Sequence, residues 1–155
     1  MQKIRRSVLI EGYSVDEILG LPNEQLDHFV FCGEPIVFRA GSAEILGKFE
    51  RTPDRIILEL AHIDGGGEGA LPALGALASR YAARERLAFL EWRVHAVHCA
   101  NPNLKLRHVL RKRGFAIKDV AGVGECYHLV EPLGQARLNI TMRESRATRS
   151  STRVG

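Results

Sequence analysis

The spacing of apolar residues predicts a regular succession of strands and helices. An apolar run at residues 7–10 is followed by two short helical segments, which begin near Ser14 and at Pro22. Three further apolar runs are separated only by short turns at Gly41 and Pro53, and such turns imply an antiparallel meander. These three strands are predicted at residues 35–40, 43–50 and 55–63.

The strongest helical pattern covers residues 70–86. Its apolar positions recur at three- and four-residue steps, at Leu71, Leu74, Leu77, Ala78, Tyr81 and Ala82. The next apolar run, at residues 87–99, predicts another strand. Because a helix connects it to the strand at residues 55–63, we expect the two strands to be parallel. A helix is predicted at residues 104–112, and Gly114 ends it. Two last strands, at residues 115–120 and 125–130, complete the pattern.

The strand at residues 55–63 is predicted to lie at the centre of the sheet. Alternate residues point to opposite faces, and both faces are largely apolar, so we expect the strand to be covered on both sides. The whole order is β, α, α, β, β, β, α, β, α, β, β. It predicts an α/β (α+β) fold with a mixed, mostly antiparallel sheet flanked by helices.

Composition supports one globular domain. The chain has 155 residues, of which 45% are hydrophobic and 26% charged, and these values are typical of a single packed core. No run of 18 apolar residues occurs, so we expect no membrane contact. Three cysteines, an odd number, indicate free thiols and a cytoplasmic location.

The positive charge is concentrated at the C-terminus. From Gly134 onward the chain has five arginines and one acid, Glu144, which account for the whole net charge of +4. We therefore expect one domain over residues 1–133 and a flexible basic tail over residues 134–155. Such a tail is suited to contact with nucleic acid or with an acidic partner, and a solvated extension is the other interpretation.

A glycine loop, Asp64-Gly-Gly-Gly-Glu-Gly69, joins the central strand to the long helix. Backbone N–H groups in such a loop, at the N-terminus of a helix, bind phosphate groups. The spacing from Gly65 through Gly67 to Ala70 also fits the dinucleotide-binding fingerprint. The preceding antiparallel meander argues against that alternative, and so does Glu91, which falls in the middle of the next strand.

The element order and the loop together resemble the GNAT superfamily of N-acetyltransferases, over residues 7–131. Gly47 matches the family's Val-Gly step. Gly67 and Gly69 match the two small positions of its Arg/Gln-x-x-Gly-x-Gly/Ala loop. The segment that begins at Asn103 matches its Asn-x-x-Ala-x-x-x-Tyr-x-x-x-Gly-Phe pattern.

The resemblance implies an acyl-CoA-dependent N-acyltransferase with a small-molecule or protein amine as acceptor. Acetyl-CoA or another acyl-CoA would be the co-substrate, and no metal would be needed. The chain could act as a monomer or as a homodimer. The pantetheine arm would lie between the strands at residues 55–63 and 87–99. The cofactor-binding residues that the resemblance implies are Ile63, Gly65, Gly66, Gly67, Gly69, Ala70 and Asn103.

Two residues are candidates for the general base that takes the amine proton. A carboxylate at Glu59 can act directly or through water, although it could instead pair with Arg39 or Arg93. His62 is the second candidate, because histidine titrates near neutral pH.

Three positions depart from the family pattern and suggest a second hypothesis. Asp64 replaces the Arg or Gln at the loop start, and Glu68 adds another acid; each opposes pyrophosphate binding by about 1 kcal/mol. Leu110 replaces a Tyr that can protonate the leaving thiolate. The alternative is therefore a non-catalytic GNAT-like module that binds a partner or a small ligand.

Several possible metal ligands lie close together in the sequence. They are His95, His98, Cys99, Cys126 and His128. A zinc site is conceivable if the last strand pairs with the strand at residues 87–99. Histidines held in strands by hydrogen bonds are the other interpretation.

Overall fold

The computed structural model describes residues 8–10, 13–29, 34–40, 43–61, 63, 70–98 and 103–134. The elements within these ranges are β1 (Val8–Ile10), β2 (Tyr13–Ser14), α1 (Val15–Leu19), α2 (Asn23–Phe29), β3 (Ile36–Ala40), β4 (Ala43–Arg51), β5 (Arg55–Ala61), α3 (Leu71–Arg84), β6 (Phe89–Val94), α4 (Leu104–Lys112), β7 (Ala116–Val120) and β8 (Gly124–Pro132). The predicted order of elements is confirmed, with the two-residue strand β2 added.

The described strands form one sheet in the order β2-β1-β3-β4-β5-β6-β8-β7. β5 and β6 run parallel, joined through α3. The other neighbouring strands are antiparallel, including the predicted meander β3-β4-β5. The predicted fold, a mixed and mostly antiparallel sheet flanked by helices, is therefore confirmed.

Local sequence signals set the helix boundaries. Ser14 Oγ accepts a hydrogen bond from the Glu17 N–H at 3.2 Å and caps α1. The observed bounds of α4 are those predicted, and Gly114 follows it with a φ of 95°. None of the helices in the described ranges is long and apolar enough to cross a membrane.

The described helices pack on one face of the sheet. Side chains from all four helices join one apolar core with Leu58 and Trp92. The predicted stripe of α3 is buried at every position: Leu71, Leu74, Leu77, Ala78, Tyr81 and Ala82. Gly75 lies against Trp92, since a Cβ there would be 3.0 Å from the indole ring. Ile57 and Cys126 are buried outside this core, on the opposite face.

Two strands are shorter than predicted, and one face of β5 is covered less completely than predicted. β5 ends at Ala61 rather than at residue 63, and β6 ends at Val94 rather than at residue 99. The Ala96 N–H donates to the Val94 carbonyl at 3.0 Å, in a tight turn that ends the strand. β5 is not fully covered on both faces. Glu59 and Ala61 remain partly exposed because the described helices occupy only the other face.

Candidate active site

Glu59 lies near the C-terminal end of β5 with a basic partner on either side. Its Oε1 is 2.6 Å from His95 Nε2, and its Oε2 is 3.3 Å from Lys48 Nζ. The Glu59 side chain is 16% exposed, so both interactions occur in a shielded environment that strengthens them. We call the first of these contacts the Glu59–His95 pair.

Strand register brings the pair together, although its members are 36 positions apart. Lys48 of β4 and Arg93 of β6 lie directly beside Glu59 in the sheet. His95 follows the last residue of β6, and its side chain reaches the face of the sheet on which Glu59 lies. Its backbone N–H donates to the Leu60 carbonyl at 2.8 Å, which holds His95 beside β5.

Opposing effects set the charge of Glu59. Burial by itself would raise the pKa of the carboxyl group. The hydrogen bond with His95 and the charge of Lys48 outweigh burial and hold the pKa below its ordinary value. The carboxylate is therefore ionised at neutral pH. It can orient the His95 imidazole and stabilise it after it takes a proton, as the acid of a catalytic triad does.

A cleft of about 190 Å³ opens beside the pair. Its lining is mostly apolar and consists of Pro35, Leu46, Gly47, Lys48, Glu59, Leu60, Ala61 and His95. The volume corresponds to about six groups the size of a water molecule. The cleft is therefore large enough for the end of a small amine, and both members of the Glu59–His95 pair line it.

The alternative in which Glu59 pairs with Arg39 or Arg93 differs from the structure, where its partners are His95 and Lys48. Arg39 Nη2 is 3.1 Å from Glu44 Oε1, and Arg93 Nε is 2.7 Å from Glu91 Oε2. Each of these two arginines therefore pairs with a carboxylate other than Glu59. The structure pairs residues 55–60 in parallel with residues 89–94. The contact of Glu59 with His95 could be predicted from the sequence only with this register in hand.

The structure describes three of the residues that the resemblance assigns to acyl-CoA. Asn103 Nδ2 donates to the Ile63 carbonyl at 3.5 Å, and its Oδ1 accepts from the Leu106 N–H at 3.0 Å and caps α4. Asn103 thus ties the chain after β5 to the start of α4. Ala70 is buried at the start of α3. The other predicted site residues lie outside the described residues: His62, Gly65, Gly66, Gly67 and Gly69.

The histidines considered as zinc ligands have separate partners. His98 Nε2 is 3.7 Å from Glu125 Oε1, and His128 Nε2 is 3.6 Å from Glu91 Oε2. Burial raises the pKa of Cys126, so this thiol stays protonated and is a poor metal ligand. Within the described ranges, which exclude Cys99, no three His, Cys, Asp or Glu side chains are placed to hold a metal ion.

Another carboxylate, that of the buried Glu91, lies on the same face of the sheet as the pair. Its oxygens accept hydrogen bonds from Arg55 Nη1 at 2.9 Å and from Arg93 Nε at 2.7 Å. Burial alone would raise the pKa of Glu91, but the two arginines hold it below its ordinary value. This cluster joins β5 to β6 next to the Glu59–His95 pair.

We expect Arg93→Met to lower the free energy of unfolding by about 2 kcal/mol at pH 7, because it removes a hydrogen bond to a buried carboxylate. A lowered pKa means that ionised Glu91 stabilises the fold above a pH of about 4.5, and that this contribution is lost as the pH falls. The difference between variant and wild type should therefore shrink at about pH 3.5. Urea unfolding at both pH values measures it.

Arg39→Met is the matched control. It removes the same charge from an ion pair whose side chains are 63% and 58% exposed. Such exposed pairs contribute less than about 1 kcal/mol. Equal losses in the two variants would contradict a stabilising role for the cluster, as would a loss at Arg93 that does not change with pH.

Leu110 occupies the position of the tyrosine in the family pattern, and it is fully buried in the core. A buried leucine cannot donate a proton to a leaving thiolate. The structure shows Leu110 as a core residue that packs α4 against the sheet.

No family model matches this chain, and no curated protein matches it. Among solved structures, the chain is similar to Ard1 from Thermoplasma volcanium, with a TM-score of 0.42 and 13% sequence identity. The similarity covers 83% of this chain and 99% of that chain. At this identity and score it carries no weight for function, which has to be argued from the site itself.

Proposed function

We propose that the chain is an acyl-CoA-dependent N-acyltransferase, which transfers an acetyl or other acyl group to an amine. The observation that carries the proposal is the Glu59–His95 pair, which lies beside a cleft at the edge where β5 and β6 stop pairing. The glycine loop after β5 and the strand order around the parallel pair support it, because they are the arrangement that the GNAT resemblance implies.

The residues of the pair have distinct roles in this reaction. The amine nitrogen attacks the carbonyl carbon of the thioester, so that a C–N bond forms and the C–S bond breaks. His95, oriented by Glu59, takes the proton from nitrogen, and the electron pair of the C–S bond leaves with sulfur as the CoA thiolate. Solvent protonates the thiolate, because Leu110 cannot. The cleft contributes by holding the amine close to the base.

A non-catalytic GNAT-like binding module is the second candidate, and the buried Leu110 is the observation that favours it. The acids Asp64 and Glu68 favour it too, because they repel a pyrophosphate. The acyltransferase must bind an acyl-CoA and transfer its acyl group, whereas the module transfers none and need not bind an acyl-CoA.

Isothermal titration with acetyl-CoA distinguishes the two functions. We expect micromolar binding by the full chain, abolished by Gly67→Glu, because the added side chain and charge would occupy the loop where the pyrophosphate is expected. Binding of this strength corresponds to about 8 kcal/mol.

Gly20→Glu is the matched control, since it adds the same side chain at the exposed end of α1, where a Cβ meets only ordinary contacts at 3.5 Å. This variant should bind acetyl-CoA as the wild type does. Absence of binding at millimolar acetyl-CoA would reject the acyltransferase and favour the non-catalytic module.

A further inference from the structure

Another cavity, of about 650 Å³, lies at the opposite end of β6 from the Glu59–His95 pair. Ala88 precedes the first residue of β6 and His95 follows its last, so the two sites are separated by a six-residue strand, roughly 20 Å long. The described residues that line the cavity come from α3, from the turn before β6 and from the end of β8. They include Ser79, Ala83, Arg86, Leu87, Ala88 and Leu133.

Arg86 has a backbone conformation that favours glycine. Its φ is 57°, and it is the one residue other than glycine in the described ranges with a positive φ. It follows the end of α3, where its N–H donates to the Ala83 carbonyl at 3.3 Å. The Leu87 N–H donates to the Ala82 carbonyl at 2.8 Å and completes a Schellman motif. α4 ends with the same two hydrogen bonds, and there Gly114 takes this position. An arginine costs stability here, and residues held in such a conformation cluster at ligand sites.

The polar side chains among the described lining residues are those of Ser79 and Arg86. Neither forms a side-chain hydrogen bond or an ion pair with another described residue. The apolar lining includes Leu87, which is buried, and Leu133, which is partly buried. None of the described lining residues is acidic. The cavity thus combines apolar walls with a positive charge and a hydroxyl group that have no partner in the described chain.

We infer that this cavity binds a small amphiphilic carboxylate. The carboxylate accepts two parallel hydrogen bonds from the Arg86 guanidinium and a third from the Ser79 hydroxyl. The apolar body of the ligand lies against Leu87 and Leu133. The last carbonyl groups of α3 do not oppose a negative charge strongly, because the N–H groups of residues 85–87 already donate to them.

The size of the cavity suits such a ligand. A volume of about 650 Å³ lies within the range of small-molecule sites and corresponds to about 20 groups the size of a water molecule. A chain of about eight carbons that ends in a carboxylate fits this space. A single arginine matches one carboxylate, whereas a phosphate group calls for more donors.

Isothermal titration of the full chain with octanoate tests this inference. No acyl-CoA is present, so the outcome is independent of the proposed function. We expect a Kd of about 10 to 100 µM. The probe 1-octanol has the same chain without the charge, and it should bind at least about tenfold more weakly, because it forms no charge-assisted hydrogen bonds.

Arg86→Gly separates a role in binding from a role in the fold. It removes the guanidinium group, so the affinity for octanoate should fall about tenfold or more. It also places glycine where the backbone favours it, so the melting temperature without ligand should rise by about 2 to 4 °C. Arg86→Asn, which also tolerates a positive φ, should weaken binding in the same way.

Arg111→Gln is the control, since Arg111 is exposed on α4 and forms no ion pair with another described residue. This variant removes the same charge and should bind octanoate within about twofold of the wild type. Unchanged affinity in Arg86→Gly would overturn the inference, and so would equal weakening by Arg111→Gln. Absence of binding at about 5 mM octanoate, or octanol bound as tightly as octanoate, would also overturn it.

Discussion

Glu59→Gln should lower the rate of acyl transfer by about 10²- to 10³-fold and leave the affinity for acetyl-CoA unchanged. Glutamine keeps the size of the side chain, but it has no charge to stabilise His95 after His95 takes the amine proton. The rate is measured as release of the CoA thiol from acetyl-CoA with a panel of primary amines. The panel contains an alkylamine, a diamine, a peptide with a free N-terminus and a lysine-containing peptide.

His95→Gln should produce a loss of similar size, and the double variant should be no slower than either single variant, because the two residues act as one unit. Glu50→Gln is the control. Glu50 lies two residues beyond Lys48 on β4, on the same face, and its side chain is exposed. A Glu59→Gln enzyme within about threefold of the wild-type rate would show that the pair is not the base. If acetyl-CoA binds and none of the four amines is acylated, the result favours the non-catalytic module.

Gly47→Ala should lower the free energy of unfolding by about 3 kcal/mol, and the melting temperature by about 6 to 12 °C. A Cβ at this position of β4 would lie 2.5 Å from Phe38 Cε2, 2.8 Å from Leu60 Cδ2 and 3.1 Å from the Glu59 carbonyl oxygen. Phe38 and Leu60 are fully buried, so their displacement would disturb the core around them. Urea unfolding and thermal scanning measure the loss.

Gly20→Ala is the matched control for Gly47→Ala. Its Cβ would lie at 3.5 Å from the carbonyl oxygens of Asp16 and Glu17, an ordinary contact distance. The stability should therefore change by less than about 0.5 kcal/mol. A Gly47→Ala protein as stable as Gly20→Ala would show that β3 and β5 can separate to admit a methyl group.

Features that depend on nearby residues were predictable from the sequence. The buried stripe of α3, both bounds of α4 and the turn conformation of Gly114 follow from the spacing of apolar residues and from capping chemistry within a few positions. The parallel orientation of β5 and β6 followed from the helix between them.

Features that depend on register between distant strands were not predictable in the same way. Residues 95–99, like β6, mix apolar and polar residues and contain no glycine or proline. Their composition therefore does not indicate that the strand ends at Val94. The contact of His95 with Glu59 needs the alignment of two strands joined through α3. In the sequence, Glu91 is recognisable only as one acidic residue within an apolar run. Its burial between Arg55 and Arg93 becomes visible only when residues of β5 and β6 are set side by side.

The position of the Glu59–His95 pair makes the proposed activity depend on a contact between distant parts of the chain. The meander β3-β4-β5 forms by pairing strands joined through short turns, which closes quickly because little chain entropy is lost. β5 and β6 form the one parallel pair among the described strands, and the two partners in the site are 36 positions apart. The meander alone contains Glu59 but not His95. The proposed proton transfer therefore requires the non-local contact across α3 as well as the meander.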